Sequence, residues 1–274
     1  MIISASRRTD IPAFYSSWFM ERIREGNVLV KNPFNPSQTK MVSLRPEDVD
    51  AIVFWTRDSE PLMKHLKELE DRRYNYIFLY TITGYGPPLE KKAPPLEKAL
   101  ATFKKLSQKI GPEKIIWRFD PIIYASGKGE AWIASCFNKI ACALRNETDQ
   151  VIVSFLDFYP KVVKGLTRVE EENGLKVIDL SHQTSIVKSI ATTLAKLAQE
   201  NEMAIVSCAE KEDLVSFGIK PGCCIDGEVL NRIFGTKIKI EKDKHQRPYC
   251  RCTTSQDIGE YGTCRHGCVY CYAL

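Results

Sequence analysis

The chain has 274 residues, 44% of them hydrophobic, and a formal net charge of +5. That length suits one large or two small domains with a sizeable core, and the charge falls well short of the basic stripe of a dedicated nucleic-acid binder. No apolar run approaches the ~18 residues of a membrane span. The opening Met1-Ile-Ile-Ser-Ala-Ser-Arg-Arg has no basic segment ahead of an apolar core, so no signal peptide is expected. The expected location is the cytoplasm, where clustered cysteines hold metal more often than they form disulfides.

Short β-branched and aromatic runs alternate with helical patterns along the chain. Predicted strands are Ile2–Ser6, Ala51–Thr56, Tyr76–Thr83, Lys114–Asp120, Gln150–Leu156 and Ala204–Cys208. Their near-continuous apolar character fits strands buried on both faces. Predicted helices are Pro12–Glu25, Glu60–Arg72, Pro95–Ile110, Ala131–Leu144 and Thr184–Asn201, with leucines and isoleucines at helical spacing. This rhythm predicts right-handed βαβ units and a parallel sheet. The expected fold is α/β, a (β/α) barrel or partial TIM-like barrel of about six or more strands over residues 1–217. A cysteine-rich metal-binding tail, 218–274, is expected to pack on it and to depend on ligation for order.

Polar residues gather where the predicted strands end, the face that carries active sites in parallel α/β folds. In Ile115-Ile-Trp-Arg-Phe-Asp120 the alternation puts Arg118 and Asp120 on one face and Trp117 and Phe119 on the other. The loop Ser6-Arg7-Arg8-Thr9-Asp10 could bind a carboxylate or phosphate through bidentate arginine contacts. Arg118, Asp120, Arg7 and Asp10 are therefore the catalytic candidates, each weighed against a structural ion pair or a solvated loop. His65 and His182 show no acid–base partner, and no P-loop or dinucleotide fingerprint is present.

Cysteine placement is the sharpest signal. Eight of the ten cysteines follow residue 207, and the tail ends in Cys264-Arg-His-Gly-Cys268-Val-Tyr-Cys271-Tyr-Ala-Leu274. Thiolates are soft ligands for iron–sulfur clusters or zinc. Three of them at x3–x2 spacing suit a [4Fe–4S] cluster with one open iron better than a closed zinc site, which wants four ligands. Gly267 would let backbone amides approach the cluster. Cys208, Cys250, Cys252 and Cys224 (or its neighbour Cys223) could ligate a second [4Fe–4S] cluster or a zinc ion. Cys136 and Cys142 are read as structural.

The Cys264–Cys271 spacing, with Tyr270 before the last cysteine, resembles the signature of radical S-adenosylmethionine enzymes, especially the spore-photoproduct-lyase type. The resemblance implies that Cys264, Cys268 and Cys271 hold the cluster, that S-adenosylmethionine binds the open iron, and that Tyr270 packs near the adenine. Gly267 and Arg8 join Tyr270 as cofactor-binding candidates. It further implies a reducing electron donor and a small-molecule or nucleic-acid-derived substrate. Such enzymes carry the loop early, after their first strand, so the resemblance implies a circular permutation. The tail would then fold over the strand ends against Arg118, Asp120 and the Arg7–Asp10 loop.

Nearly end to end, the chain is also similar to an uncharacterised prokaryotic family. Ser4-Ala-Ser-Arg-Arg-Thr-Asp10, Lys31-Asn-Pro-Phe-Asn-Pro36, Val53-Phe-Trp-Thr56, Trp117-Arg-Phe-Asp-Pro121 and Asp257-Ile-Gly259 carry that likeness. The competing readings are a non-catalytic iron–sulfur or zinc protein, and a metal-assisted hydrolase using Asp10, Asp120 and Asp157.

Overall fold

The computed structural model describes residues 1–273; Leu274, last residue of the cysteine tail, lies outside the described residues. The strands are β1 (Ile2–Ala5), β2 (Asn27–Asn32), β3 (Asn35–Ser43), β4 (Ala51–Thr56), β5 (Tyr76–Thr81), β6 (Ile115–Ile122), β7 (Gln150–Phe155), β8 (Ala204–Cys208), β9 (Lys220–Gly222) and β10 (Gln256–Asp257). The helices are α1 (Ile11–Phe14), α2 (Ser16–Glu25), α3 (Glu60–Met63), α4 (Leu66–Asp71), α5 (Leu96–Ile110), α6 (Glu130–Leu144), α7 (Pro160–Asn173), α8 (Thr184–Glu200) and α9 (Gly227–Phe234). Among the described residues no helix is long and apolar enough to cross a membrane.

Eight strands form one sheet in the order β10-β1-β4-β5-β6-β7-β8-β9. Every neighbouring pair in it is parallel. The expected barrel is corrected on one point: the sheet is open. Closure needs the last strand of the series to bond the first, but β1 already gives its free side to β10, where Ile3 pairs with Gln256. The edge strands β9 and β10, three and two residues long, are not paired with each other. β2 and β3 form a separate antiparallel hairpin.

From β1 to β8 the strand order follows the chain order, and a single crossover hand then lays the connecting helices on one face. That face is one continuous core. Ile3, Ile52, Phe54, Phe78, Tyr80, Trp117, Phe119, Val151 and Val153 meet Phe19, Leu66, Phe103, Phe137 and Leu194 from the helices, all buried. Its aromatics interlock: Phe54 stacks on Phe78 at 4.9 Å, and Trp117 lies 4.8 Å from Phe137. Burying each such ring contributes about 1.5–3 kcal/mol.

The opposite face needs another cover, because no helix of the βα series reaches it. Ile2, Val53, Leu79, Ile116 and Ile152 point that way. They pack on Leu230 of α9 and on Cys208, Cys224, Cys250 and Cys252. The segment after residue 217 thus supplies both edges of the sheet and the cover of its second face.

Two predicted helices are interrupted. Tyr15, at φ −133° and ψ 22°, separates α1 from α2. Lys64 and His65 separate α3 from α4, and nothing in the structure explains that break.

Candidate metal centre

The tail reaches the strand ends through Asp257. Its carboxylate accepts from Ser4 Oγ (2.8 Å), Ser6 Oγ (2.6 Å) and the N–H groups of Arg7 (2.8 Å) and Gly259 (2.9 Å). The chain passes so close to β1 here that a Cβ on Gly259 would lie 2.1 Å from Ser6 Oγ. Four donors on one buried carboxylate fix β10 beside the loop that follows β1.

The cysteine loop then crosses the ends of β1, β4 and β5. Tyr15 Oη donates to the carbonyl of Thr263 at 2.7 Å. His266 Nε2 lies 2.7 Å from Asp10 Oδ2. Asp10 also accepts from Thr56 Oγ1 (2.8 Å) and from the N–H groups of Arg57 (2.7 Å) and Ala13 (3.0 Å), capping α1. The next residues lie along the loop after β5: Val269 N–H donates to the Leu89 carbonyl at 3.0 Å, and Cys268 bridges Glu90. Tyr270 Oη hydrogen-bonds Glu90 and accepts from Arg57 Nη2 at 2.6 Å. Arg57 and Glu90 themselves form a buried ion pair at 2.9 Å. Over the loop lies α7, whose Val162 and Leu166 pack with Cys268 and Tyr270.

Cys264, Cys268 and Cys271 are brought together here. Burial pushes all three thiols up, and the Arg57 guanidinium opposes that for Cys268 and Cys271. A positive site facing thiols favours their thiolates, the form that ligates metal. Gly267 has φ 66°, the left-handed turn that lets the loop double back.

The second cysteine group sits behind, on the covered face of the sheet. Cys208 ends β8, Cys224 follows β9, and Cys250 and Cys252 precede β10. Cys224 and Cys208 touch, Sγ to Sγ, at 3.2 Å. Cys252 shares this buried cluster with Cys224 and Cys250, and hydrogen bonding from Cys224 and then Cys250, with the Arg7 charge, shifts its thiol down. Cys223 is half-buried beside Asp226 at the border of the same cluster, and burial raises its thiol. Of the two neighbours, Cys224 is the one in the group. Among the described residues no set of three or more His, Cys, Asp and Glu side chains is arranged as a finished metal site.

Between the two cysteine groups stand the arginine candidates. Arg118 pairs with Asp120, which also takes the hydroxyl of Ser154. The Arg118 and Arg7 guanidiniums lie over the same Trp55 ring, 4.7 and 5.3 Å from its centroid. Buried Arg118 Nε and Arg7 Nη2 have no hydrogen-bond partner among the described residues. Tyr272 Oη donates to the Arg7 carbonyl at 3.1 Å.

Arg8 is turned away. It donates to the Gly259 carbonyl at 3.3 Å and lies over Tyr261, lining a cleft of 630 Å³ with Tyr15, Trp18 and Lys31. A smaller cavity of 280 Å³ is lined by Arg57, Thr83 and Glu90. The tail cysteines line neither cavity. Asp157 pairs with Arg247, and Glu210, which takes the Phe155 N–H at 2.8 Å, is pushed up to about 7 by burial. Cys136 rests on the Thr83 carbonyl at 3.4 Å, and Cys142 is exposed.

Glu90, Trp55, Ser154 and Asp257 carry no site signal of their own in the sequence, and Arg57 carries only that of a polar residue at a strand end. Arg57 and Trp55 lie at a strand end, where a polar–aromatic cluster could have flagged them. Glu90 lies in a proline-rich loop with no periodicity to mark it.

The family model of a domain of unknown function, DUF1848, matches residues 2–273. No curated protein matches the chain.

Proposed function

The chain belongs to the DUF1848 family, and on that premise we propose that it is an iron–sulfur enzyme of radical S-adenosylmethionine type. The observation that carries this reading is topological. β10 is the last strand in the chain, yet it lies beside β1 and delivers the Cys264–Cys271 loop to the ends of β1, β4 and β5. A permuted enzyme of this type needs that delivery, and the C-terminal ends of parallel strands are where such folds do chemistry.

In this reading Cys264, Cys268 and Cys271 would hold a [4Fe–4S] cluster. When bound, the cluster supplies an electron for the reductive cleavage of S-adenosylmethionine. Arg57 balances thiolate charge beside Cys268 and Cys271. The His266–Asp10 and Tyr270–Glu90–Arg57 contacts hold the loop in place, so Asp10 and Tyr270 are positioning residues. Arg7, Arg118 and Asp120, flanking Trp55, offer an aromatic and cationic surface suited to an anionic substrate, small or nucleic-acid-derived. A reducing partner and a cytoplasmic location belong to the same proposal.

The hydrolase reading has less support. Asp10, Asp120 and Asp157 are engaged separately, by His266 and Thr56, by Arg118, and by Arg247. Anaerobic reconstitution with iron and sulfide tests the lead. A brown protein that binds S-adenosylmethionine and releases 5′-deoxyadenosine under reduction, with Cys268→Ala inactive, is the expected result. A colourless zinc protein, or a Cys268→Ala variant that still forms 5′-deoxyadenosine, overturns it.

A further inference from the structure

We infer that Cys208, Cys224, Cys250 and Cys252 form a closed four-thiolate site for a single tetrahedral metal ion, zinc, which ties together the two free edges of the sheet. This site is independent of the tail loop and of the reaction proposed for it.

The argument begins with an unsolved problem in the fold. A sheet whose strands run in chain order with helices on one face leaves the other face bare and two edges open. In a closed barrel the edges would bond each other. Here β9 and β10 do not meet. Thiols from both sides nevertheless do. Cys208 and Cys224 flank β9 at one edge, and Cys250 and Cys252 lead into β10 at the other. They meet on the covered face, all four buried, among Ile2, Ile116, Ile152 and Leu230.

Spacing selects the occupant. A tetrahedral ion with metal–sulfur bonds of about 2.3 Å sets its sulfurs about 3.8 Å apart. Cys208 and Cys224 stand at 3.2 Å, and Cys250 and Cys252 pack in the same buried cluster. Opening the Cys208–Cys224 contact by about 0.6 Å, to the spacing of a tetrahedral site, admits one ion. A cube-shaped cluster instead holds its cysteine sulfurs outside its corners, well beyond thiol–thiol contact. No such gap separates Cys208 from Cys224.

The surroundings suit a thiolate site. The Ile225 N–H donates to Cys252 Sγ at 3.4 Å, and the Cys252 N–H to Cys250 Sγ at 3.5 Å. Amide donors to sulfur are the usual outer support of metal thiolates. On binding, the four thiols release four protons to solvent, and the four thiolates with one dication carry a net charge of −2. Arg7, which reaches Cys252, and Arg118, near Cys208 and Cys224, supply two compensating charges.

Metal analysis of the full chain purified without added iron tests this. The expected result is about one zinc per chain with four sulfur neighbours near 2.3 Å by X-ray absorption. Cobalt replacing it should give the intense absorption of a tetrahedral four-sulfur site. The zinc should persist in the Cys264→Ala/Cys268→Ala/Cys271→Ala variant and in Cys223→Ser. It should fall at least tenfold in Cys250→Ser/Cys252→Ser. Should that variant fail to fold, the absorption and cobalt spectra of the unaltered chain still decide. Acid-labile sulfide in the tail variant after reconstitution, absence of zinc, fewer than four sulfur ligands, or zinc loss in Cys223→Ser would each overturn the proposal.

Discussion

Asp10 and His266 stand at nearly opposite positions in the chain yet meet at 2.7 Å, both almost fully buried. Asp10 takes three further donors from Thr56, Arg57 and Ala13, so one carboxylate joins the loop after β1, the end of β4 and the cysteine loop. Asp10→Ala leaves those donors unmet. It should cost about 3–5 kcal/mol, the range for breaking a buried charged network. His266→Ala should cost about 1–3 kcal/mol. Chemical denaturation measures both, and limited proteolysis should cut the 260–273 segment faster. Wild-type stability in Asp10→Ala would refute the role given to it.

Gly165 of α7 has no room for a side chain. A Cβ there would lie 2.5 Å from the carbonyl oxygen of Val269, which is backbone and cannot swing aside. Gly165→Ala should lift α7 from the cysteine loop at a cost of about 1–3 kcal/mol. It should also lower iron uptake at the tail during reconstitution. Unchanged melting and unchanged iron content would show that the two elements separate freely.

Arg57 and Glu90 are a buried pair, and their removal should be strongly non-additive. Either Arg57→Met or Glu90→Leu strands a charge and should cost about 3–5 kcal/mol. The double variant should cost less than the sum, with a coupling of at least about 1 kcal/mol in a double-mutant cycle. Simple additivity would mean that the pair contributes no mutual energy.

On the helix side, Glu68 is held down to about 2, first by the Arg24 guanidinium and then by Arg72. Its folded value lies below its unfolded one, so its contribution is present above about pH 4.3 and fades as pH falls toward 2. The group is half-buried and still screened by solvent, so the contribution should be no more than about 1 kcal/mol. Glu68→Gln should lower stability slightly at pH 6 and match the unaltered chain near pH 2. A difference that grows on acidification would contradict this sign.

Period-two alternation placed Arg118 and Asp120 together on one face, and they form an ion pair opposite buried Trp117 and Phe119. The six central strands of the parallel sheet were equally legible, because apolar runs buried on both faces advertise themselves, whereas the largely exposed hairpin β2–β3 carries no such run. β10 was not. Gln256 and Asp257 carry no strand pattern and join the sheet through a backbone register only β1 can supply. The helix α7, absent from the predicted elements, carries a readable signal in Pro160 at its start and in Val162, Leu166 and Val169 on its buried face. The open edge was invisible for a general reason. Local pattern reports which residues face a core, whereas closure depends on whether two remote strands meet.

The pairing of Ile3 with Gln256 also bears on how the chain is made. During synthesis β1, β4 and their helices emerge early, yet the outer edge of β1 has no partner until the ribosome reaches residue 256. Through that interval an apolar parallel edge stands bare, the kind of surface on which nascent chains stick to one another. Contacts of such long sequence separation also close slowly. Expression should therefore be limited by chaperone capacity more than by the stability of the finished fold, and truncation before β10 should yield aggregate rather than a smaller soluble protein.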